Sequence, residues 1–186
     1  MTTETDFSLP EIPDLSAVEG GASEPWSDGW YEGVVLGERS FVDRNGNERV
    51  FATEDTTSAK GDSRNIRLQL AIKRQSDGKT FDTNTMINYH QEDLTPAVVQ
   101  AVTERLATTP NEMGDLFRPF MTLQRLGRLQ RIAGVRQFQR NGNGGLDLTP
   151  VVGKRGYFRL RPDPKNAIYK EIAEFSVDAP KRAKVQ

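Results

Sequence analysis

Strand-like segments occupy residues 29–89 of this chain, give way to a helical stretch, and resume only at residues 153–175. The alternation of period two, then period 3.6, then period two again is the strongest constraint on the fold. It calls for a sheet whose last strands rejoin the first across a helical insert. With 186 residues, 35% of them hydrophobic, the chain can build one substantial core with appendages, and two separate cores would be a squeeze. The pattern therefore predicts a mainly β domain with an α insert, of the α+β class.

The individual segments follow from turn chemistry. Gly29 to Leu36 is rich in aromatic and β-branched residues and predicts a first strand running on to about Val42. Asp43-Arg44-Asn45-Gly46-Asn47 supplies an Asn-Gly turn, and the polar stretch from Thr53 to Ser63 reads as a mobile loop. In the second strand Ile66, Leu68, Leu70 and Ile72 alternate with Asn65, Arg67, Gln69 and Lys73, which assigns one set to the core and the other to water. Ser76 to Lys79 turns the chain into a third strand from about Thr80 to Tyr89. Strands four and five are expected at Gly153 to Arg161 and Asn166 to Phe175, joined through Pro162-Asp163-Pro164.

The helical insert covers about residues 94–134. Thr95-Pro96 opens its first helix, with Val98, Val102 and Leu106 as the buried stripe. The second runs from about Pro119 to Ile132. Phe120, Leu123, Leu126 and Leu129 point inward, Arg125, Arg128 and Arg131 form a neighbouring ridge, and Gly134 stops it.

Charge is unevenly distributed along the chain. Residues 1–28 hold seven acids and no Lys or Arg, so a formal net charge of −1 leaves residues 29–186 at −1 + 7 = +6. Such an acidic leader, poor in large apolar residues, is expected to be disordered. It reads either as a solvating segment or as a partner-binding or DNA-mimicking arm, the latter able to compete for a basic groove. Residues 176–186 end the chain in a short basic tail with Lys181, Arg182 and Lys184. The absence of cysteine removes disulfides, thiolate metal sites and a Cys nucleophile, and fits a cytoplasmic protein. No apolar run is long enough to span a membrane, and the acidic first residues do not resemble a signal peptide.

Functional candidates come from strand faces. In strand four, Gly156, Phe158 and Leu160 take one face, leaving Arg155, Tyr157, Arg159 and Arg161 on the other. Guanidinium groups around a ring suit a surface that tracks a phosphate backbone and stacks bases. Arg67 and Lys73 extend that face on strand two, and Arg44, Arg49, Phe51, Lys60 and Arg64 lie in the loop between strands one and two. Residues 118–140 carry six Arg and no acid, which makes Arg125, Arg128 and Arg131 candidates as well, with a neighbouring acidic subunit or the chain's own acidic leader as the competing explanation. Trp30, Phe41, Phe81, Phe158 and Phe175 are expected in the core, whereas Tyr31, Phe51, Tyr89 and Tyr169 fit either the core or a binding face.

Enzymatic signals are missing. His90 is the sole histidine, and there is no phosphate-binding Gly-Lys-Ser/Thr loop, nucleophile elbow or dinucleotide fingerprint, so neither catalytic nor metal residues nor a cofactor are expected. Asp43, Asn45, Asn47 and Glu54 mimic a calcium loop, but Glu48 stands where the loop requires Gly, and turn chemistry explains these residues better.

Gly29-Trp30-Tyr31-Glu32-Gly33-Val34-Val35, Ile66-Arg67-Leu68-Gln69-Leu70, Leu148 through Gly153-Lys154, and Asn166-Ala167-Ile168, taken in order, resemble phage-encoded OB-fold single-stranded-DNA-binding proteins. The similarity spans about residues 29–175 and implies a five-stranded OB-like barrel with helices between strands three and four. It implies a non-sequence-specific binder of single-stranded DNA, or of RNA, acting in replication, recombination or repair. Replication or recombination proteins and further copies of the chain are the implied partners. Many such proteins end in an acidic C-terminal tail, whereas this chain carries its acids at the N-terminus. The alternative is a non-catalytic structural or protein-interaction component, of a virion or replication complex, built on the same barrel.

Overall fold

The computed structural model describes residues 25–26, 29–74, 80–162, 165, 170–179 and 181–182. The expectations for residues 1–24, the Ser76 to Lys79 turn and Asn166 to Tyr169 lie outside the described residues. So does the side chain of Phe81. In chain order the elements are β1 (Pro25–Trp26), β2 (Trp30–Leu36), β3 (Glu38–Val42), β4 (Glu48–Ala52), β5 (Glu54–Thr57), β6 (Arg64–Arg74) and β7 (Thr80–Tyr89). There follow α1 (Pro96–Thr108), α2 (Phe117–Ala133), β8 (Arg155–Pro162), β9 (Lys170–Ser176) and β10 (Lys181–Arg182). The protein is α+β: one large antiparallel sheet with two helices.

That sheet runs β7–β6–β2–β8–β9. β6 pairs with β7 through residues 64–73 on one edge; on the other it pairs with β5 through residues 64–67 and with β2 through residues 69–74. The first four strands of the path have the Greek-key arrangement, a three-strand meander whose fourth strand returns by a long connection to lie beside the first. Here the long connection contains α1 and α2, and β8 returns to pair Arg159 opposite Trp30. β7 and β9 end the path without pairing to each other, so the sheet is not a closed barrel.

The inner face carries Ile66, Leu68, Leu70 and Ile72 from β6, all fully buried, with Tyr31 and Val35, Ile87 and Tyr89, Phe158 and Leu160, and Phe175. Leu123, Leu126, Leu129 and Ile132 of α2 pack into the same core. Gly134 closes α2 in the left-handed conformation (φ 72°), as its position after the helix predicts. Gly33 sits where β2 is squeezed between β6 and β8: a methyl group there would lie 2.6 Å from Ile72 Cγ2 and 2.9 Å from Phe158 Cδ2. Gly33→Ala should therefore cost about 1–3 kcal/mol through overpacking. A thermal melt checks this, since an unchanged midpoint would mean that the core yields at this point. No described helix is long and apolar enough to cross a membrane.

Several expectations are corrected. The first strand does not run on to Val42; it breaks at Gly37, and Glu38–Val42 leaves the large sheet to form a separate hairpin with Glu48–Ala52. The cause is Thr53, whose backbone N–H donates to Gly37 O (2.8 Å) and whose hydroxyl donates to Leu36 O (2.6 Å) while accepting from Gln69 N (2.9 Å). This pins the two ends of the hairpin together beside β6. Gln69, expected in water, is buried under the same junction, its amide donating to Ala52 O at 3.4 Å. Phe41, expected in the core, is carried out on the hairpin.

The polar stretch Thr53 to Ser63 is not all loop. Its first part is β5, and Asp55 points inward from it. Asp55 accepts from Arg64 Nε (2.9 Å), from the Tyr89 hydroxyl (2.6 Å) and from the Leu146 N–H (2.7 Å). Arg64, expected to face a ligand from a loop, instead closes this buried network and also donates to Asp55 O at 3.0 Å. Burial, followed by the hydrogen bond to Asp55, drives the Tyr89 phenol well above its ordinary range. Gly145 is required here because a side chain would collide with the Arg64 guanidinium and Asp55 O.

Candidate nucleic-acid interface

Register places the expected strand residues on one outer face of the sheet. Lys73 lies opposite Glu32, which lies opposite Tyr157; Arg67 lies between Met86 and Glu54; Arg159 lies between Trp30 and Glu174. The alternation expected of strand four holds, with Gly156, Phe158 and Leu160 buried and Arg155 and Arg161 exposed. The face is nonetheless mixed in sign. Arg155 approaches Glu32 at 3.6 Å and Arg159 approaches Glu174 at 3.6 Å. Cross-strand pairs of opposite charge are the ordinary dress of a solvated sheet. Arg155 and Arg159 thus face carboxylates contributed by the strands on either side, Glu32 from β2 and Glu174 from β9, and their pull on a polyanion is correspondingly reduced.

The denser array lies on the β3–β4 hairpin. Asn45-Gly46 makes its turn, with Gly46 at φ 80°, and Asp43 Oδ1 accepts from the backbone N–H groups of Asn45 (2.9 Å) and Asn47 (3.0 Å). These bonds, the Asn47 one foremost, hold the Asp43 carboxyl below its usual range. Of the residues that mimic a calcium loop, Asp43, Asn45 and Asn47 are thus occupied in building a turn, and Glu54 lies on β5 opposite Arg67. Antiparallel pairing puts Arg39 opposite Phe51 and Phe41 opposite Arg49, so all four share a face. Phe41 and Phe51 stack with centroids 5.1 Å apart and planes 25° from parallel. The Arg39 guanidinium lies 5.8 Å from the Phe41 centroid, and that of Arg67, from β6, lies 5.2 Å from the Phe51 centroid.

The result is a row of Arg39, Phe41, Phe51 and Arg67 at the surface, crossing from hairpin to sheet. Each cation–π contact is worth roughly 0.5–1 kcal/mol at an exposed site. Arg39, Arg44 and Arg67 form no ion pair among the described residues, whereas Arg49 is held by Asp43 at 3.2 Å. Arg39 Nε is also enclosed without a hydrogen-bond acceptor. Aromatic rings and guanidinium planes are the two surfaces on which unpaired bases stack. Of the row, sequence reasoning named Arg67 and Phe51 and missed Arg39 and Phe41. The Asn-Gly turn carried the missing signal, because two strands joined by it place residues 39, 41, 49 and 51 on one side.

Arg125, Arg128 and Arg131 do not join either array. They lie along α2, whose leucines pack into the inner face of the sheet, so these arginines and the strand residues occupy opposite sides of the domain. Arg118 is committed to Glu92 and Asp93, both at 2.8 Å. Lys60 stays at the surface, away from the buried Arg64. Comparison with protein-family models, curated proteins and solved structures found no match to this chain.

Proposed function

We propose that this protein is a non-catalytic, non-sequence-specific binder of single-stranded DNA, with an OB-like domain, acting on DNA during replication, recombination or repair, in the cytoplasm. The observation that carries this reading is the surface row Arg39–Phe41–Phe51–Arg67, in which two stacked rings lie between two guanidinium groups that form no ion pair among the described residues. The strand order supports the OB-like part, since such folds are partly open Greek-key barrels that bind through the face of their second and third strands and the loop before them. β6, β7 and the hairpin preceding β6 correspond to those parts.

A fluorescence titration with oligo-dT at two salt concentrations tests the reading. If Arg39, Arg44 and Arg67 each neutralise one phosphate, the log–log salt slope should be about −2, from roughly −0.7 per phosphate. Duplex of the same length should bind more weakly, because its bases are not available for stacking. Absence of binding at about 50 mM salt, or insensitivity to salt, would remove the reading.

One observation favours a scaffold role instead. The hairpin face opposite the stacked rings exposes Val42 and Val50, at 68% and 57%. A protein partner laid along that face would bury them. In that case the titration fails while a pull-down dependent on Val42 and Val50 succeeds.

A further inference from the structure

α2 is buried around most of its circumference and reaches solvent along one stripe, which includes Arg125, Arg128 and Arg131. No carboxylate pairs with Arg125 or Arg128 among the described residues, and Arg136, just beyond the helix, is equally unpaired. A helix face exposed to water ordinarily mixes charge signs, and this one does not. The stripe already accepts one carboxylate: Asp178 pairs with Arg131 at 2.7 Å.

Three residues beyond Asp178 the chain reaches Lys181, which pairs in parallel with Pro25. Pro25 is therefore within about 16 Å of Asp178, counting about 3.8 Å per residue and one strand spacing, and Asp178 reaches the stripe through its bond to Arg131. Pro25 is also where the acidic leader joins the fold. Residues 1–24 contain six acids, Glu4, Asp6, Glu11, Asp14, Glu19 and Glu24, and no Lys or Arg. The six residues from Glu19 to Pro25 extend roughly 20 Å, enough to bring that carboxylate to the stripe.

From this juxtaposition we infer that the acidic leader docks in cis on the arginine stripe of α2, its carboxylates pairing with Arg125, Arg128 and Arg136. The site lies behind the sheet, away from the hairpin row. The leader then neutralises the back of the domain and leaves the stacking surface open, in contrast to an arm that competes for the polymer groove. The inference does not rest on nucleic-acid binding.

A spin-label experiment on the full chain decides it. The sequence has no cysteine, so Ser16→Cys gives a single attachment point for a nitroxide in the leader. At low salt, amide signals of residues 121–136 should lose intensity selectively and recover at high salt, as screening separates the charges. They should also recover at low salt in Arg125→Gln/Arg128→Gln, a pair of exposed-side substitutions whose folding is verified by circular dichroism. Loss of signal on β6, β8 or the hairpin would overturn the inference in favour of groove competition, and loss nowhere would overturn it outright. Persistence of the loss when spin-labelled and isotope-labelled molecules are mixed would overturn the cis assignment. No nucleic acid enters the experiment, so its failure leaves the proposed function standing.

Discussion

Replacing Asp55 with alanine will lower the unfolding free energy by about 3–5 kcal/mol, the cost of stranding a buried charge whose partner has been removed. The change leaves Arg64 inside without its counter-ion and orphans the Tyr89 hydroxyl and the Leu146 N–H, each now less than 3 Å from an Asp55 oxygen. Native domains hold roughly 5–15 kcal/mol in all, so the variant should melt on the order of 10 °C lower. Asp55→Asn should cost less, because an amide oxygen still accepts one bond. A pH arm tests the Tyr89 link. Its folded pKa is raised above the unfolded value of 10.0, so its contribution is complete below pH 10 and is lost as pH rises beyond that. Wild type should therefore lose stability above pH 10 more steeply than Tyr89→Phe. Equal alkaline curves would show that neither burial nor the carboxylate holds the phenol above its ordinary range.

The largest binding effect is expected on the hairpin. Phe41→Ala with Phe51→Ala removes both rings and should weaken oligo-dT binding by roughly 1–3 kcal/mol per base that stacks there, leaving the salt slope nearly unchanged. Arg67→Ala should instead make the slope shallower by about 0.7. Tyr157→Ala on β8 should cost less than the ring pair, because its face is balanced by Glu32 and Glu174. The reverse order of losses, with Tyr157 dominant and the hairpin silent, would return the interface to strand four. Phe41 is 37% exposed and the hairpin lies outside the large sheet, so the melting midpoint should hardly move. A large thermal shift would mean that the rings serve packing.

Periodic features were legible in the sequence because they are local. The β6 alternation, the β8 alternation, the Pro96 helix start and the Gly134 stop all depend on neighbours within a few residues. The α+β class followed from their order. What escaped was decided by residues distant in sequence. Thr53 looked like loop, yet its hydroxyl bridges Leu36 and Gln69 and turns one expected strand into two. Asp55 looked solvated, yet its partners lie at residues 64, 89 and 146. The strand-four arginines looked like an uncompensated row because Glu32 and Glu174 enter from other strands. The Phe41–Phe51 stack could have been read from the turn, but a preference for burying aromatics pointed the other way.

The Asp55 network also bears on the order in which the chain assembles. β6 and β7 are successive and can zip early, whereas Asp55 meets Leu146 across 91 residues and β2 awaits β8 from the far side of both helices. Contacts that close such long loops bring their entropy cost before their reward, which places the domain among slow, millisecond-to-second folders. A carboxylate whose distant partner, Leu146, lies beyond both helices is expected to do little to lower the folding barrier and much to raise the unfolding one. Asp55 therefore acts as a latch on the finished molecule, setting how long it stays folded more than how fast it gets there.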